Sequence, residues 1–200
     1  DGNPRLVFLT ADFVGFGQER TAVRPEIELP AVKCVVWDLD NTLWRGILLE
    51  SDDVRLNSEA AALLSQLDER GILLSVASKN DPALAMQKMA EFGLAEYMLA
   101  PQIGWLPKSE GIKRIAKDLN IGLDTFVFVD DNPFELEEVS RALPMVTCVD
   151  VREIAQLATH KRLQGSKTGE ARRRRLMYRE SIARDEYEQS FGDDRGSLEP

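Results

Sequence analysis

Short apolar stretches recur along this chain with little polar alternation inside them: "AVKCVVWDLD" from residue 31, "ILLSVAS" from 72, "EYMLA" from 96, "TFVFVDD" from 125 and "MVTCV" from 145. Strands of this kind are buried on both faces, as in a parallel sheet covered by helices. Helical signals fill the gaps between them. "SEAAALLSQLDER" places Ala60, Leu63, Leu64 and Leu67 on one face, with Ser58 as its expected N-cap and Gly71 as its stop. Asp81 and Pro82 open a second helix that runs to about Phe92 and ends at Gly93. "SEGIKRIAKDLN" is a third, with Ser109 as the expected cap, and "NPFELEEVSRAL" a fourth, opened by Asn132 and Pro133. Strand and helix alternating through short links predict an α/β domain over residues 31–150: a doubly wound, Rossmann-like parallel sheet with helices on both faces. In such sheets reactive groups gather at the carboxyl ends of the strands.

The flanks read differently. Residues 1–30 form a leader in which "RLVFLT" is a candidate strand, and Gly15, Gly17, Pro25 and Pro30 interrupt the rest of it. The abrupt start reads as a piece cut from a longer chain. Residues 151–200 form a helical C-terminal extension. In it "VREIAQLATHKRLQ" is expected as a helix, "GSKTG" as a polar link, "EARRRRLMYRESIARDEYEQSF" as a long charged helix and "GDDRGSLEP" as a loose end.

Composition narrows the functional classes. A formal charge of −9 argues against a nucleic-acid partner. No apolar run is long enough to span a membrane, and the opening residues lack the basic leader and apolar core of a secretion signal. Cys34 and Cys148 lie far apart in apolar surroundings, which suits buried thiols in a reduced, cytoplasmic compartment.

The residues just past each strand carry the chemistry. The first strand ends in Asp38 and Asp40, the second in Ser78, Lys79 and Asn80, and the fourth in Asp130 and Asp131. Lys108 comes after the third, in "WLPKSEG". All fall on one rim of a parallel sheet. Carboxylates that close repel one another strongly in a poorly screened cleft, so the cluster needs cations inside it. Mg²⁺, a hard ion that takes carboxylate and phosphate oxygens, is the natural one, with Lys108 as a second positive charge. The chemistry this implies is phosphoryl transfer, in which positioning and charge neutralisation do most of the catalysis. Asp38 is placed to attack phosphorus, and Asp40 to protonate the leaving oxygen and then deprotonate water. Ser78 and Lys108 contact the phosphoryl group, with Leu39, Thr42, Lys79 and Asn80 as further candidate phosphate or substrate contacts. The expected metal set is Asp38, Asp40 (through its carbonyl), Asp130 and Asp131.

Together "VVWDLDNTLW", "SVASKN", "LPKSEG" and "FVFVDDNPFE" resemble the four motifs of the haloacid dehalogenase (HAD) superfamily over residues 31 to about 150. The resemblance implies a HAD core, Mg²⁺ as cofactor, Asp38 as nucleophile and Asp40 as acid/base. "DLDNTLWRG", "SKND", "PKSE" and "VDDNPFE", with "RRRRLMYRE" and "SFGDDRGSLE" further on, look like the FkbH-like group. That implies a glyceryl transferase/phosphatase of a polyketide synthase loading module. Such an enzyme takes a three-carbon acyl phosphate (glyceryl from 1,3-bisphosphoglycerate, or a lactyl unit), passes the acyl group to an acyl carrier protein and removes phosphate. The stretch "RGILLESDDVRLN" is shorter than the group leads one to expect and too short for a cap domain, so a capless, open site is expected.

Other residues invite weaker readings. Cys148, near the end of the last strand, is the candidate acyl carrier thiol, with packing as its alternative. Cys34 lies too far below the rim and reads as core. His160 sits in a polar helix. The run Arg172 to Arg175 reads as a solvated helix face, or more sharply as a dock for an acidic carrier protein. Trp44 and Trp105 flank the motifs, either lining the substrate entrance or packing beside it. The runner-up function is a stand-alone Mg²⁺-dependent phosphatase acting on a small phosphorylated metabolite. A signalling receiver module has the acidic segments in the wrong order, and a degenerate docking module would not keep every catalytic position filled.

Overall fold

The computed structural model describes residues 29–193 apart from Asp52 and Lys167; residues 1–28 of the leader, with its expected strand, and residues 194–200 lie outside the described residues, while Gly192 and Asp193, expected at the start of the loose end, are still helical. In chain order the elements are β1 (Cys34–Trp37), β2 (Trp44–Arg45), β3 (Arg55–Leu56), α1 (Ser58–Glu69), β4 (Leu73–Ser78), α2 (Pro82–Glu91), β5 (Gln102–Ile103), α3 (Lys108–Asp118), β6 (Phe126–Asp130), α4 (Pro133–Ala142), β7 (Thr147–Asp150), α5 (Ile154–Leu157) and α6 (Gly169–Asp193). Five strands form one parallel sheet in the order β5-β4-β1-β6-β7. The sheet is doubly wound, as the sequence predicts. Among the described residues no helix is long and apolar enough to cross a membrane.

The two-residue period of the strands divides the core. Val35 and Trp37 of β1, Leu74 and Val76 of β4, and Val127 and Val129 of β6 pack with α1, α2 and α5. The residues between them, Cys34, Val36, Leu73, Ala77, Phe126 and Phe128, turn to the other face and pack with α3 and α4. A continuous apolar run is what such a strand needs, because neither of its faces meets water.

Several expected elements differ. "EYMLA" is not a strand: only Met98 bridges to Leu74, and Ala100 turns the chain at φ +46° before β5 begins at Gln102. The residue capping α1 is Asn57, whose side chain accepts from the amides of Glu59 and Ala60, and Ser58 is already helical. Likewise Ser109 lies inside α3, whose N-cap is Pro107. The helix expected over 151–164 is broken into 3-10 turns at Val151–Glu153 and Lys161–Leu163 around the short α5. His160 therefore sits at a turn, its Nδ1 accepting from the amide of Arg162.

Those breaks send Arg162 inward. Its guanidinium donates to the Pro30 carbonyl at 2.8 Å, the Thr147 hydroxyl at 2.9 Å and the Asp124 carbonyl at 3.0 Å. It thereby ties together the chain just before β1, β6 and β7. The long charged helix α6 reaches the same amino-terminal side of the sheet. Gly71, at φ +72°, lies so close to Ala171 that an added Cβ would stand 2.8 Å from its Cα. Arg174 donates to the Gly71 carbonyl at 3.1 Å. Arg175 donates to Asp68 at 2.9 Å and lies 4.7 Å over the Tyr97 ring. Arg174, exposed, and Arg175, half-buried, thus each tie α6 to the chain around α1 and β4.

Candidate functional site

Each strand delivers its polar residue where its hydrogen-bonded ladder ends. Asp38 comes directly after β1 and stays tied to the sheet through its amide, which donates to Val129 at 2.9 Å. Ser78 ends β4 and Asp130 ends β6, with Asp131 next to it. Lys108 is the first residue of α3. The carboxylates of Asp38, Asp130 and Asp131 offer oxygens that all lie within 4.8 Å of one another. Lys108, 5% exposed, bridges two of them, its Nζ standing 2.9 Å from Asp38 and 2.5 Å from Asp130. A second tie fixes this lysine: Ser109 donates its hydroxyl to Glu138 of α4 at 2.5 Å and its amide to the same carboxylate at 3.2 Å.

The electrostatics of the trio are unbalanced. Burial, and then the charge of Asp38, push Asp130 up to about 6 against the pull of Lys108. The same two causes push Asp131 up. Burial alone would depress Lys108, but the charges of Asp38 and Asp130 overcome it and hold the ammonium above its ordinary value. Three carboxylates with one lysine between them form an anionic, oxygen-only donor set, which suits a hard divalent cation and not a softer one.

Asp40 has a separate setting. The loop after β1 curls tightly, with the Leu39 carbonyl accepting from the amides of Thr42, Leu43 and Trp44. Asn41 takes φ +53°, a left-handed conformation that asparagine tolerates better than most residues. This curl, the β2–β3 hairpin and the segment after β4 close three donors around the Asp40 carboxylate: Trp44 Nε1 at 2.8 Å, the Leu48 amide at 3.1 Å and Asn80 Nδ2 at 3.1 Å. Burial nevertheless raises its pKa, because desolvation outweighs those donors. The Asp40 carboxylate is not part of the trio; the metal contact expected of this residue is through its main-chain carbonyl.

Asp38, Asp40, Ser78, Lys79, Lys108 and Asp131 line one cleft of about 350 Å³ at the carboxyl edge of the sheet. Of the expected contacts, one that lines the cleft is engaged by a neighbour and others stand away from it. Lys79 is ion-paired to Glu135 at 2.8 Å across the cleft wall. Asn80 is buried, with its amide group on Asp40 and its Oδ1 accepting from the Asp81 amide, so its placement is that of a support for Asp40. Leu39 and Thr42 have buried side chains beneath the loop, and the Thr42 hydroxyl has no hydrogen-bond partner among the described residues. Cys148 lies in β7 opposite Phe128, two positions below the end of the strand. Burial, with the charges of Asp130 and Glu138, pushes its thiol up to about 11. Cys34 is fully buried at the start of β1, and its thiol is raised further still. Of the two flanking tryptophans, Trp44 is buried against Asp40, whereas Trp105 is 68% exposed just before Lys108. The Asn80 amide and the Ser109–Glu138 tie were not legible as partners in the sequence, since each joins residues far apart along the chain.

Solved structures share this architecture. The N-terminal part of a Bacteroides fragilis protein, containing a phosphatase domain complexed with Mg, is 28% identical with a TM-score of 0.62. The match covers 69% of this chain and 42% of that one, so this chain spans less than half of that structure's length. A Mesorhizobium loti protein assigned as a HAD-like phosphatase is 12% identical with a TM-score of 0.51, over 68% of this chain and 87% of that one, a likeness of fold alone. No protein-family model matches the chain, and neither does any curated protein. The fold is that of HAD-like phosphatases.

Proposed function

We propose that this chain is a Mg²⁺-dependent phosphoryl-transfer enzyme of HAD type. The observation that carries the reading is the convergence of Asp38, Asp130 and Asp131 within 4.8 Å, bridged by Lys108, at the carboxyl end of the sheet. The Bacteroides fragilis structure, with Mg in its phosphatase domain, supports it. Asp38, Asp130 and Asp131 would hold Mg²⁺, which when bound neutralises charge on the phosphoryl oxygens. A carboxylate oxygen of Asp38 forms a bond to phosphorus as the bond to the leaving oxygen breaks. Asp40 gives that oxygen its proton, a task suited to a carboxyl whose burial raises its pKa. Asp40 then takes a proton from water, which attacks the aspartyl-phosphate, releasing phosphate and restoring Asp38. Lys108 holds Asp38 in line and carries positive charge to the transferring group.

The finer reading is loading: the enzyme handles a three-carbon acyl phosphate and delivers the acyl unit to an acyl carrier protein. It rests on the sequence resemblance, and the shape of the entrance favours it. The cleft has no cap domain over it among the described residues; Ile47 lines it and is exposed, Phe134, which follows the lining residue Pro133, is 79% exposed, and Trp105 and Leu106 are exposed in the segment that leads to Lys108. Exposed apolar surface grouped at a site mouth suits a large amphipathic partner better than a small phosphate ester. A stand-alone phosphatase is the alternative: in loading, the carrier thiol attacks the acyl carbonyl, a thioester forms as the acyl C–O bond breaks and the acyl phosphate leaves as phosphate, and the Asp38 steps above act only on the remaining phosphate ester, whereas in the phosphatase they are the whole reaction.

One experiment separates them. The chain is incubated with 1,3-bisphosphoglycerate, Mg²⁺ and a holo carrier protein, and phosphate and carrier mass are both read. Loading predicts a glyceryl mass on the carrier together with free phosphate. Phosphate without a mass gain leaves the phosphatase alone standing. Asp38→Asn is expected to reduce phosphate release by at least about a thousandfold with the fold intact, and EDTA to do so reversibly. Turnover retained in either case would overturn the assignment of the site.

A further inference from the structure

A second cavity, of about 150 Å³, lies at the amino end of the sheet, where β1, β6 and β7 begin. Val32, Val127 and Val149 line it from the sheet, and Leu157 and Leu163 from the chain that follows β7. Val127 stands three residues before Asp130 on β6, which puts it about 10 Å from the reactive rim. Among these apolar groups sits a charge: Arg162, 9% exposed, also lines the cavity. Its three hydrogen bonds all go to neutral acceptors, the Pro30 and Asp124 carbonyls and the Thr147 hydroxyl. A guanidinium has five N–H donors, so one on each Nη is unspent. Among the described residues no carboxylate stands within ion-pair distance of it. The charge of Asp124 acts on it from farther off, and burial outweighs that charge and lowers its pKa. A cation taken out of water without an anion beside it is costly to the fold.

The neighbours of Arg162 are donors as well. Thr147 lines the cavity, and its hydroxyl, which accepts from Arg162, keeps its own proton to give. His160 lines it too; its Nδ1 accepts from the Arg162 amide, so the neutral ring carries its proton on Nε2, which has no acceptor among the described residues. Glu153, the one acid of the lining, is exposed and keeps its hydration.

We propose that this cavity binds a short aliphatic monocarboxylate, with its carboxylate on Arg162 and its tail among Val127, Val149, Leu157 and Leu163. The two unspent guanidinium donors match the two oxygens of a carboxylate. A phosphate would leave further oxygens facing aliphatic side chains. A cavity of this volume takes about as many atoms as a benzene ring, which limits the tail to about four carbons. The site stands apart from the phosphoryl-transfer cleft and does not depend on the reaction assigned there. Because Arg162 ties the chain before β1 to β6 and β7, a bound anion also braces that end of the sheet.

The test is a methyl NMR titration of the full chain, in EDTA so that no divalent ion holds a carboxylate in the cleft. Isovalerate is the probe, isovaleramide its uncharged isostere, and acetate the charged group without the tail. Isovalerate is expected to bind with a Kd of about 1 mM or below, shifting Val127, Val149, Leu157 and Leu163 most. Isovaleramide and acetate should each bind at least about tenfold more weakly, the first for want of the charged pair and the second for want of the buried carbons. Arg162→Met should abolish binding. Since Arg162 also braces the fold, Val149→Phe is the second variant: it fills the cavity, leaves the guanidinium in place and should abolish binding too. If neither variant folds, the comparison of acid and amide in the unsubstituted chain decides by itself. Equal affinity for the amide, binding that survives Val149→Phe, shifts centred on Ile47 at the cleft, or no saturation by about 50 mM would each overturn the site.

Discussion

Cys148 shows how a side chain in a suggestive place is governed by its surroundings. A thiol near the rim of an acyl-handling site is an obvious carrier, but a thiol attacks as the thiolate, and burial beside two carboxylates disfavours that form. Because the thiol is pushed up to about 11, it stays protonated through neutrality and ionises only as the pH climbs towards that value. Iodoacetamide should therefore label Cys148 in the native protein at pH 8 on the order of a hundredfold more slowly than free cysteine, with the rate rising up to about pH 11. Peptide mass mapping reads this directly. If Cys148 serves only in packing, Cys148→Ser keeps both phosphate release and carrier loading. Lost loading with intact phosphate release would restore the thiol to the pathway.

At the scale of elements, the ends of helices set the geometry of the site. Asn57 caps α1 through its Oδ1 while its Nδ2 donates to the Thr42 carbonyl at 3.0 Å. One residue thus joins the start of a helix to the loop that curls around Asp40. Asn57→Ala is expected to destabilise the protein by about 1–2 kcal/mol and to lower kcat, whereas exposed Ser58→Ala should stay within about 0.5 kcal/mol. Urea unfolding of the two variants checks the pair, and equal losses would return the cap to Ser58. Both residue types are good caps, so the sequence alone could not choose between neighbours. Asp81 and Asn132 were legible because a proline stands after each of them and fixes the first helical position. "EYMLA" had the composition of a strand but not the partners, and pairing is a property of the neighbouring chain as much as of the segment.

The molecule as a whole separates a reactive end from a braced one. All the carboxylates of the site stand where the parallel strands end. Arg162 and α6 secure the opposite side, where the loops enter β1, β4, β6 and β7. Arg175 is one grip of α6, holding Asp68 and covering Tyr97. Arg175→Ala should destabilise the protein by about 1–2 kcal/mol and raise hydrogen exchange along α6, with activity preserved once the protein is folded. Exposed Arg173→Ala serves as the control, and identical exchange in both variants would show that α6 is held by other contacts.

The sequence by itself determined the class of fold, since uninterrupted apolar runs separated by amphipathic helices have few ways to hide both faces of every strand. It also determined which residues reach the rim, because a residue that ends such a run in a parallel sheet has nowhere else to stand. What only the tertiary structure decided is which of those residues meet. The Asn80 donor on Asp40, the bridge of Lys108 between Asp38 and Asp130, and the tie of Ser109 to Glu138 all join positions distant along the chain. Hydrogen bonds and ion pairs act across a few ångströms of space, and a local pattern carries no record of which distant side chain folding will bring within that reach.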